Sequence, residues 1–360
     1  MAAAVISSKN KSDDNVPLGW VRLVGWKKKT LEKKKDNHLL ASTNLITNLV
    51  YNNNNNIMEK FSSWRDKGTG ISPFMPQKLP TFQKNNSLLS VASKSPIFLI
   101  KLPFFIITYL IYTITGFTFI LKFILTILFG FNRIDFGVDG IKKSQIDKLT
   151  SYKPKKGDLI VTNYITPLDG YFLFLLSGTF SSSSSSSSSS QIVILIPNES
   201  GDLYQYSPLG LFNHSFTYSN SNSSSSGKLV EDVSKLQNKI VFLFLEGTLS
   251  NNKSILPFIK LNSKYSFDDF NIKSLVVKLI PNYFTLPIPH VSKLQYFFEL
   301  LTNLSQKLVR YKMYKFDEFD IAKIRNSFEL NSLTSMSQDL NIDSKNKFID
   351  YYFDHSIKKN

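Results

Sequence analysis

The sequence predicts an α/β protein with a mostly parallel sheet covered by helices, preceded by an N-terminal membrane-embedded helical segment. Three observations carry this. Short apolar runs of strand length alternate with helical patterns: Asp158–Asn163 (DLIVTN), Ile192–Pro197, Ile240–Leu245 and Leu275–Ile280. That alternation is the mark of a sheet buried on both faces. Residues 97–131 form a far longer apolar stretch. Finally, two of the short runs stop abruptly, one at TNYITPLDG (162–170) and one at Glu246-Gly247-Thr248. A buried strand ending in a carboxylate and a glycine is a common way to place reactive groups at a sheet's rim.

The 360 residues suit one large domain with appendages. Forty-three Lys and Arg against 27 Asp and Glu give a net charge of +16, which favours anionic partners such as nucleic acid or the cytoplasmic face of a membrane. Nothing reads as a nucleic-acid module, and the apolar stretch selects the membrane. With no cysteine, disulfides and zinc-thiolate sites are excluded.

Residues 1–57 read as a disordered, basic and Asn-rich extension, with Lys27-Lys28-Lys29, Lys33-Lys34-Lys35 and Asn52–Asn56. The lysine runs suit a solvated tail, a nuclear address or a lipid-surface patch. Met58 reads as a natural start. Residues 58–96 are a juxtamembrane segment in which Trp64, Phe74 and Phe82 suit either an interfacial collar or an ordinary surface loop. Within 97–131, Leu102–Leu121 is twenty residues without a charge, long enough to span. The apolar character continues past Lys122, and Gly116 lies near the middle. A single tilted span and a hairpin of Pro96–Thr115 and Phe117–Phe131 are the two readings, and the hairpin is preferred.

Residues 132–360 form the α/β domain. Leu168–Ser177 reads as a helix, Val230–Leu236 as a short helix, Val291–Leu308 as an amphipathic helix, Val309–Phe316 as a strand and the end from Ile342 as a helix. The serine tracts 181–190 and 219–226 are low-complexity insertions.

The stretch Phe242–Phe258 (FLFLEGTLSNNKSILPF) resembles the FPEGTRS box and following Pro-Phe element of the phospholipid/glycerol acyltransferases. TNYITPLDG stands where that family carries its NHxxxxD box, and Leu275–Pro281 where it carries its fourth motif. The chain is similar over roughly residues 58–360 to a fungal branch of that family. The resemblance implies a glycerol-3-phosphate acyltransferase-like fold. In the family a His–Asp dyad takes the proton from the acceptor hydroxyl as it attacks an acyl thioester, which needs a base titrating near the working pH. Carried over, Asn163 matches the Asn, Tyr164 stands at the His and Asp169 matches the Asp. A phenol of pKa ~10 is a poor neutral-pH base, so Tyr164 is expected to position rather than to take the proton. Asp169 has a second explanation, since Thr166-Pro167-Leu168-Asp169 is a helix-start pattern.

Glu246, Gly247 and Thr248 match the phosphate-holding part of the second box, where glycine lets backbone amides approach a ligand. Read more plainly, they form a strand-end turn. Leu249 stands at the family's Arg, which removes a bidentate clamp; Lys253 and Lys260 are candidate substitutes. His214 and His290 are candidate sources of the missing imidazole. No metal cluster or GxSxG elbow occurs.

What the resemblance implies is an acyl-CoA co-substrate without a further cofactor, and a lysophosphatidic acid acceptor converted to phosphatidic acid. It also implies residence at the endoplasmic reticulum membrane and lipid droplets, with the catalytic domain facing the cytosol. A droplet carries a monolayer, so its proteins return both termini to the cytosol, in agreement with a hairpin. The missing His and Arg motivate a second reading, a non-catalytic lipid-binding protein with the acyltransferase fold in droplet organisation or vacuolar trafficking.

Overall fold

The structure, a computed structural model, describes residues 60–83, 87–178, 191–217 and 227–356. The extension 1–57 and the two serine tracts lie outside the described residues. The chain divides into units 1–63 and 64–360, and everything below concerns the second.

Ten strands occur among the described residues: β1 (Arg133–Val138), β2 (Asp158–Thr162), β3 (Ile192–Pro197), β4 (Leu203–Tyr206), β5 (Lys228–Leu229), β6 (Ile240–Leu243), β7 (Ser254–Ile255), β8 (Asn271–Ile280), β9 (Leu308–Lys315) and β10 (Thr334–Ser335). Eight form the main sheet, in the order β1-β9-β8-β2-β6-β3-β4-β5. Its centre, β8-β2-β6-β3, is all parallel. On one side β9 runs antiparallel to β8 and β1 pairs parallel with β9; on the other β4 and β5 fold back antiparallel. The sheet is therefore mostly parallel, with antiparallel margins.

Period-two alternation sorts the strand residues into two cores. Ile160, Ile194, Phe242, Leu275 and Val277 face one side; Leu159, Val161, Val193, Leu195, Val241, Leu243 and Val276 face the other. The first core is covered by helices Ser87–Thr115, Asp169–Gly178, Pro208–His214 and Lys293–Thr302. The second is covered partly by helix Ile321–Glu329, through Ile324 and Phe328. Helix Asp169–Gly178 is buried nearly all round, as a helix apolar on every side must be. Two of the expected helices are shorter than their pattern. Val230–Leu236 is only a 3₁₀ turn, Ser234–Leu236, because the Asp232 side chain bonds the Ser234 amide and hydroxyl instead. Val291–Leu308 is helical over Lys293–Thr302, opened by a Ser292–Gln295 capping box.

The apolar stretch is one 29-residue helix, Ser87–Thr115, then helix Thr118–Phe123 and a π-helical turn Ile124–Leu128. Gly116, at φ +67°, ends the long helix where few other residues fit. Leu88–Thr115 is long and apolar enough to cross a membrane by length and composition. Its residues divide into two stripes. Phe98, Leu102, Phe105, Tyr109 and Tyr112 pack on the first core, with Phe105 4.6 Å from the ring of Phe297 and the Tyr109 hydroxyl 3.0 Å from that of Tyr171. Ile100, Phe104, Ile107, Ile111 and Ile114 keep the same 4-3-4-3 spacing on the opposite side and are exposed. The domain thus holds one side of this helix and leaves the other bare. Phe74 is fully buried 5.8 Å from Phe348, and Phe82 packs on Phe298; these rings belong to the domain, not to a collar at headgroup depth.

Candidate active site

β2 and β6 are adjacent and parallel, so the loops leaving their C-terminal ends emerge side by side. Asn163 carries the β2–β8 ladder one step past its end. Its Oδ1 accepts the Val277 amide at 2.8 Å and its Nδ2 donates to the Val277 carbonyl at 2.9 Å. The side chain is committed to that strand.

The next three amides are divided between two carboxylates. Tyr164 N–H donates to Glu246 Oε1 at 3.0 Å, while Ile165 and Thr166 N–H donate to Asp169 Oδ2 at 2.8 and 2.9 Å. Glu246 Oε2 accepts the Leu256 amide at 2.8 Å, and the Tyr164 carbonyl accepts the Ser250 amide at 2.8 Å. Asp169 and Glu246, 77 positions apart in sequence, therefore fix one loop between them. Asp169 reaches back to the amides before its helix, as the helix-start pattern predicts.

The other oxygen of Asp169 has no partner. It faces an internal gap of about 160 Å³, lined also by Thr162, Phe172, Leu173, Phe244, Val277 and Tyr311, with no room for a water. Thr162 Oγ1 is unpartnered there too. Burial pushes the Asp169 carboxyl up to about 7, against the pull of its two amides.

Tyr164 points the other way. Its buried hydroxyl meets Ser215 Oγ at 2.7 Å and the Leu211 carbonyl at 3.2 Å, and its ring lies 4.8 Å from Phe244. Burial raises the phenol well above its ordinary value. It cannot serve as a neutral-pH base and instead ties the loop to helix Pro208–His214.

Gly247 sits at φ +65°, and a Cβ there would come within 2.3 Å of Ile259 Cδ1 and 3.0 Å of Ile342 Cδ1 and the Pro197 carbonyl. Its closeness is to the protein itself. Helix Ile342–Ser356 lies over this turn and delivers a residue that sequence reading missed. Lys345 Nζ donates to Thr248 Oγ1 at 2.5 Å and to the Leu249 carbonyl at 2.8 Å. A buried cation from the far end of the chain thus stands beside Leu249, where the box lacks its Arg. Burial pushes Glu246 up and Lys345 down, and each opposes the shift of the other.

Of the candidate lysines, Lys260 is exposed. Lys253 lines an open groove of about 620 Å³ with Asn252, Lys278, Asn282, Ser332 and Thr334. Of the candidate histidines, His290 is held between the carbonyls of Ile288 and Gln77. His214 arrives at the first box, its ring stacked on Tyr164 with centroids 6.2 Å apart.

A mostly parallel α/β sheet preceded by an apolar helix agrees with the fold that the sequence predicts, and the loops that carry the two boxes are cross-bonded at its C-terminal rim. The sequence as a whole carries the same likeness. Over 321 residues the chain is 27% identical to lysophosphatidic acid:oleoyl-CoA acyltransferase 1 of Saccharomyces cerevisiae, covering 84% of this chain and 99% of that protein. No family model matches the chain, and no solved structure matches it. The chain is similar to this fungal acyltransferase over most of its length.

Proposed function

We propose that this protein transfers a fatty acyl group from acyl-CoA to lysophosphatidic acid, forming phosphatidic acid for glycerolipid synthesis. The acceptor oxygen forms a bond to the thioester carbon, the carbon–sulfur bond breaks, and the acceptor's proton ends on the departing thiol. The observation that carries the reading is the sharing of three successive amides, Tyr164 to Thr166, between Glu246 and Asp169. It unites the two boxes in one rigid rim. Asp169, Glu246 and Asn163 act as positioning residues, Tyr164 anchors the loop, and Thr248 with Lys345 offers a hydroxyl and a cation to a phosphate. The similarity to the yeast acyltransferase supports this donor and acceptor.

The apolar hairpin lies in a membrane surface. Its outward stripe, Ile100 to Ile114, enters one leaflet while the inward stripe holds the domain. Both ends then stay in the cytosol, as an endoplasmic reticulum membrane and a droplet monolayer alike permit. The charge of +16 favours anionic headgroups.

A second reading, a non-catalytic lipid-binding protein in droplet organisation or vacuolar trafficking, is favoured by one observation: Asp169 opens only onto a closed gap. Full-length protein purified in detergent, given oleoyl-CoA and lysophosphatidic acid, decides between them. Formation of phosphatidic acid with release of free CoA supports the enzyme, and its absence supports the binding protein.

A further inference from the structure

The open groove of about 620 Å³ is built by the end of β8, the loop that follows Ser250 and the turn after helix Ile321–Glu329. Lys253 and Lys278 both line it. Among the described residues the Lys253 ammonium has no partner, and the Lys278 ammonium reaches only the Ser332 carbonyl, at 3.4 Å. Neither meets a carboxylate. Arg310 stands directly opposite Lys278 in the antiparallel β8–β9 ladder, a position where like charges repel. Burial and that guanidinium hold the Lys278 ammonium below its ordinary pKa. The nearby Asp135 lies 3.4 Å from Arg310 but 2.6 Å from Lys143, so one carboxylate already serves two other cations.

The backbone around these lysines is held in an unusual shape. Among the described residues two that are not glycine have positive φ, Asn252 at +60° and Ser332 at +58°, and both line this groove. Such conformations are uncommon for L side chains and cluster where a ligand is held. Asn252 is fixed there by its Nδ2, which donates to the Leu279 carbonyl at 2.7 Å and to Asn282 Oδ1 at 2.8 Å. The groove also has a definite side. Lys278 points with Ser274 and Val276 toward helix Ile321–Glu329, where Ser274 Oγ meets Ser327 Oγ at 2.6 Å. Helix Ser87–Thr115 packs on the opposite core. An anion entering this groove therefore comes from water, not from the membrane surface that takes the outward stripe of that helix.

We propose that this groove seats the water-soluble end of the acyl donor, with Lys253 and Lys278 holding the diphosphate and ribose phosphate of CoA. The inference rests on the acyl-transfer reading above. Two cations without a carboxylate, facing one cavity, are completed by a polyanion. The volume lies within the ~300–1,000 Å³ usual for small-molecule and cofactor sites, and Ile71 and Ile280 add an apolar wall for the adenine. The groove and the rim are made by one loop. Ser250, just before Asn252, donates its amide to the Tyr164 carbonyl at 2.8 Å. A donor seated by its phosphates thus has its pantetheine arm free to lead the thioester toward the rim. Thr248 and Lys345 are then left to the phosphate of the acceptor, which arrives from the lipid side. The two phosphate-bearing substrates are sorted onto separate cations.

The test titrates the full chain in detergent with CoA, dephospho-CoA and inorganic pyrophosphate by calorimetry, and measures turnover of oleoyl-CoA and lysophosphatidic acid beside it. Lys253→Gln and Lys278→Gln are each expected to weaken CoA binding about tenfold, as loss of a charge-assisted contact does. KM for oleoyl-CoA should rise to match, while KM for lysophosphatidic acid stays within about threefold and the thermal midpoint is unchanged. Dephospho-CoA, which lacks the ribose phosphate, should bind wild type more weakly than CoA and lose less on one of the two substitutions. Lys315→Gln, an exposed lysine at the other end of the β8–β9 pair, should bind CoA as wild type does. Wild-type CoA affinity in both groove variants overturns the assignment. A rise in KM for lysophosphatidic acid alone also overturns it and gives the groove to a lipid headgroup. Pyrophosphate bound as tightly as CoA, through the same lysines, overturns it as an adventitious ion only. Lysine-dependent CoA binding without acyl transfer supports the groove and overturns the acyl-transfer reading instead.

Discussion

Glu246 accepts the amide of Tyr164 at 3.0 Å through one oxygen and the amide of Leu256 at 2.8 Å through the other. Both contacts are buried; the first joins the loops that leave the neighbouring strands β2 and β6, and the second ties the turn after β6 to the residue that follows β7. A carboxylate offers acceptors on both oxygens, whereas a carboxamide offers one. In Glu246→Gln one of the two amides faces an NH₂ group. That loss is expected to cost ~1–3 kcal/mol, lowering the thermal midpoint by several degrees, and to reduce acyl transfer with it. Differential scanning calorimetry beside the acyl-transfer assay checks both; an unchanged midpoint would show that the two loops do not depend on this bridge.

Asp169 gives the opposite expectation for stability. Its folded pKa, about 7, lies above the ~3.9 of an unfolded Asp. The folded state therefore binds more protons than the unfolded state between these values, and stability falls as pH rises from about 4 to 7. At ~1.4 kcal/mol per unit the loss is at most about 4 kcal/mol. Asp169→Asn keeps an oxygen for the Ile165 and Thr166 amides and turns an NH₂ toward the gap shared with Thr162. The variant should gain on wild type as pH rises from 5 to 8. Chemical denaturation at the two pH values reads the difference, and a constant offset would mean that the carboxyl titrates near 4.

Much of this site was legible before folding because its signals are local. TPLDG encodes a helix start, and the amides of Ile165 and Thr166 do bond Asp169. IVFLFL followed by EGT encodes a buried strand and its turn, and Gly116 encodes the break in the apolar stretch. Residues whose role depends on distant packing left no such trace. Lys345 sits in a polar C-terminal segment and becomes a buried cation only because helix Ile342–Ser356 crosses Gly247. His214 is one of two candidate histidines in the sequence, and what separates it from His290 is packing: Gly170 lets Pro208 approach closely, which sets the His214 ring beside Tyr164. The edge strand β1, RIDFGV, alternates charge and apolar residues too briefly to stand out, and its pairing with β9 is a tertiary fact.

Lys345→Met should separate the two roles of the cation. Removing the ammonium frees Thr248 Oγ1 and the Leu249 carbonyl and takes away a charge that holds the buried Glu246 carboxyl down, which pushes it further up. If Lys345 holds the acceptor's phosphate, KM for lysophosphatidic acid should rise about tenfold or more while KM for oleoyl-CoA stays within about threefold. Equal effects on both substrates would assign Lys345 to the fold alone. Lys345→Arg, which keeps the charge but enlarges the head, should recover part of the acceptor affinity.

The two stripes of helix Ser87–Thr115 predict different outcomes for the same chemical change. Phe104 and Ile107 are exposed, whereas Phe105 packs on Phe129 and Phe297. A charge on the outward stripe meets water in the isolated protein and hydrocarbon in a membrane, where it costs a few kcal/mol. Ile107→Glu should therefore keep the thermal midpoint in detergent but lose flotation with vesicles containing anionic lipid. Phe105→Glu buries an unpaired charge in the domain and should lower the midpoint by ~10 °C or abolish folding, from a penalty of several kcal/mol. A helix that crossed the bilayer alone would show the same flotation defect at both positions with no loss of domain stability at either. Protease protection of tags at the two termini in microsomes gives the independent check: cleavage of both from the cytosolic side fits the in-plane hairpin, and a shielded terminus rejects it.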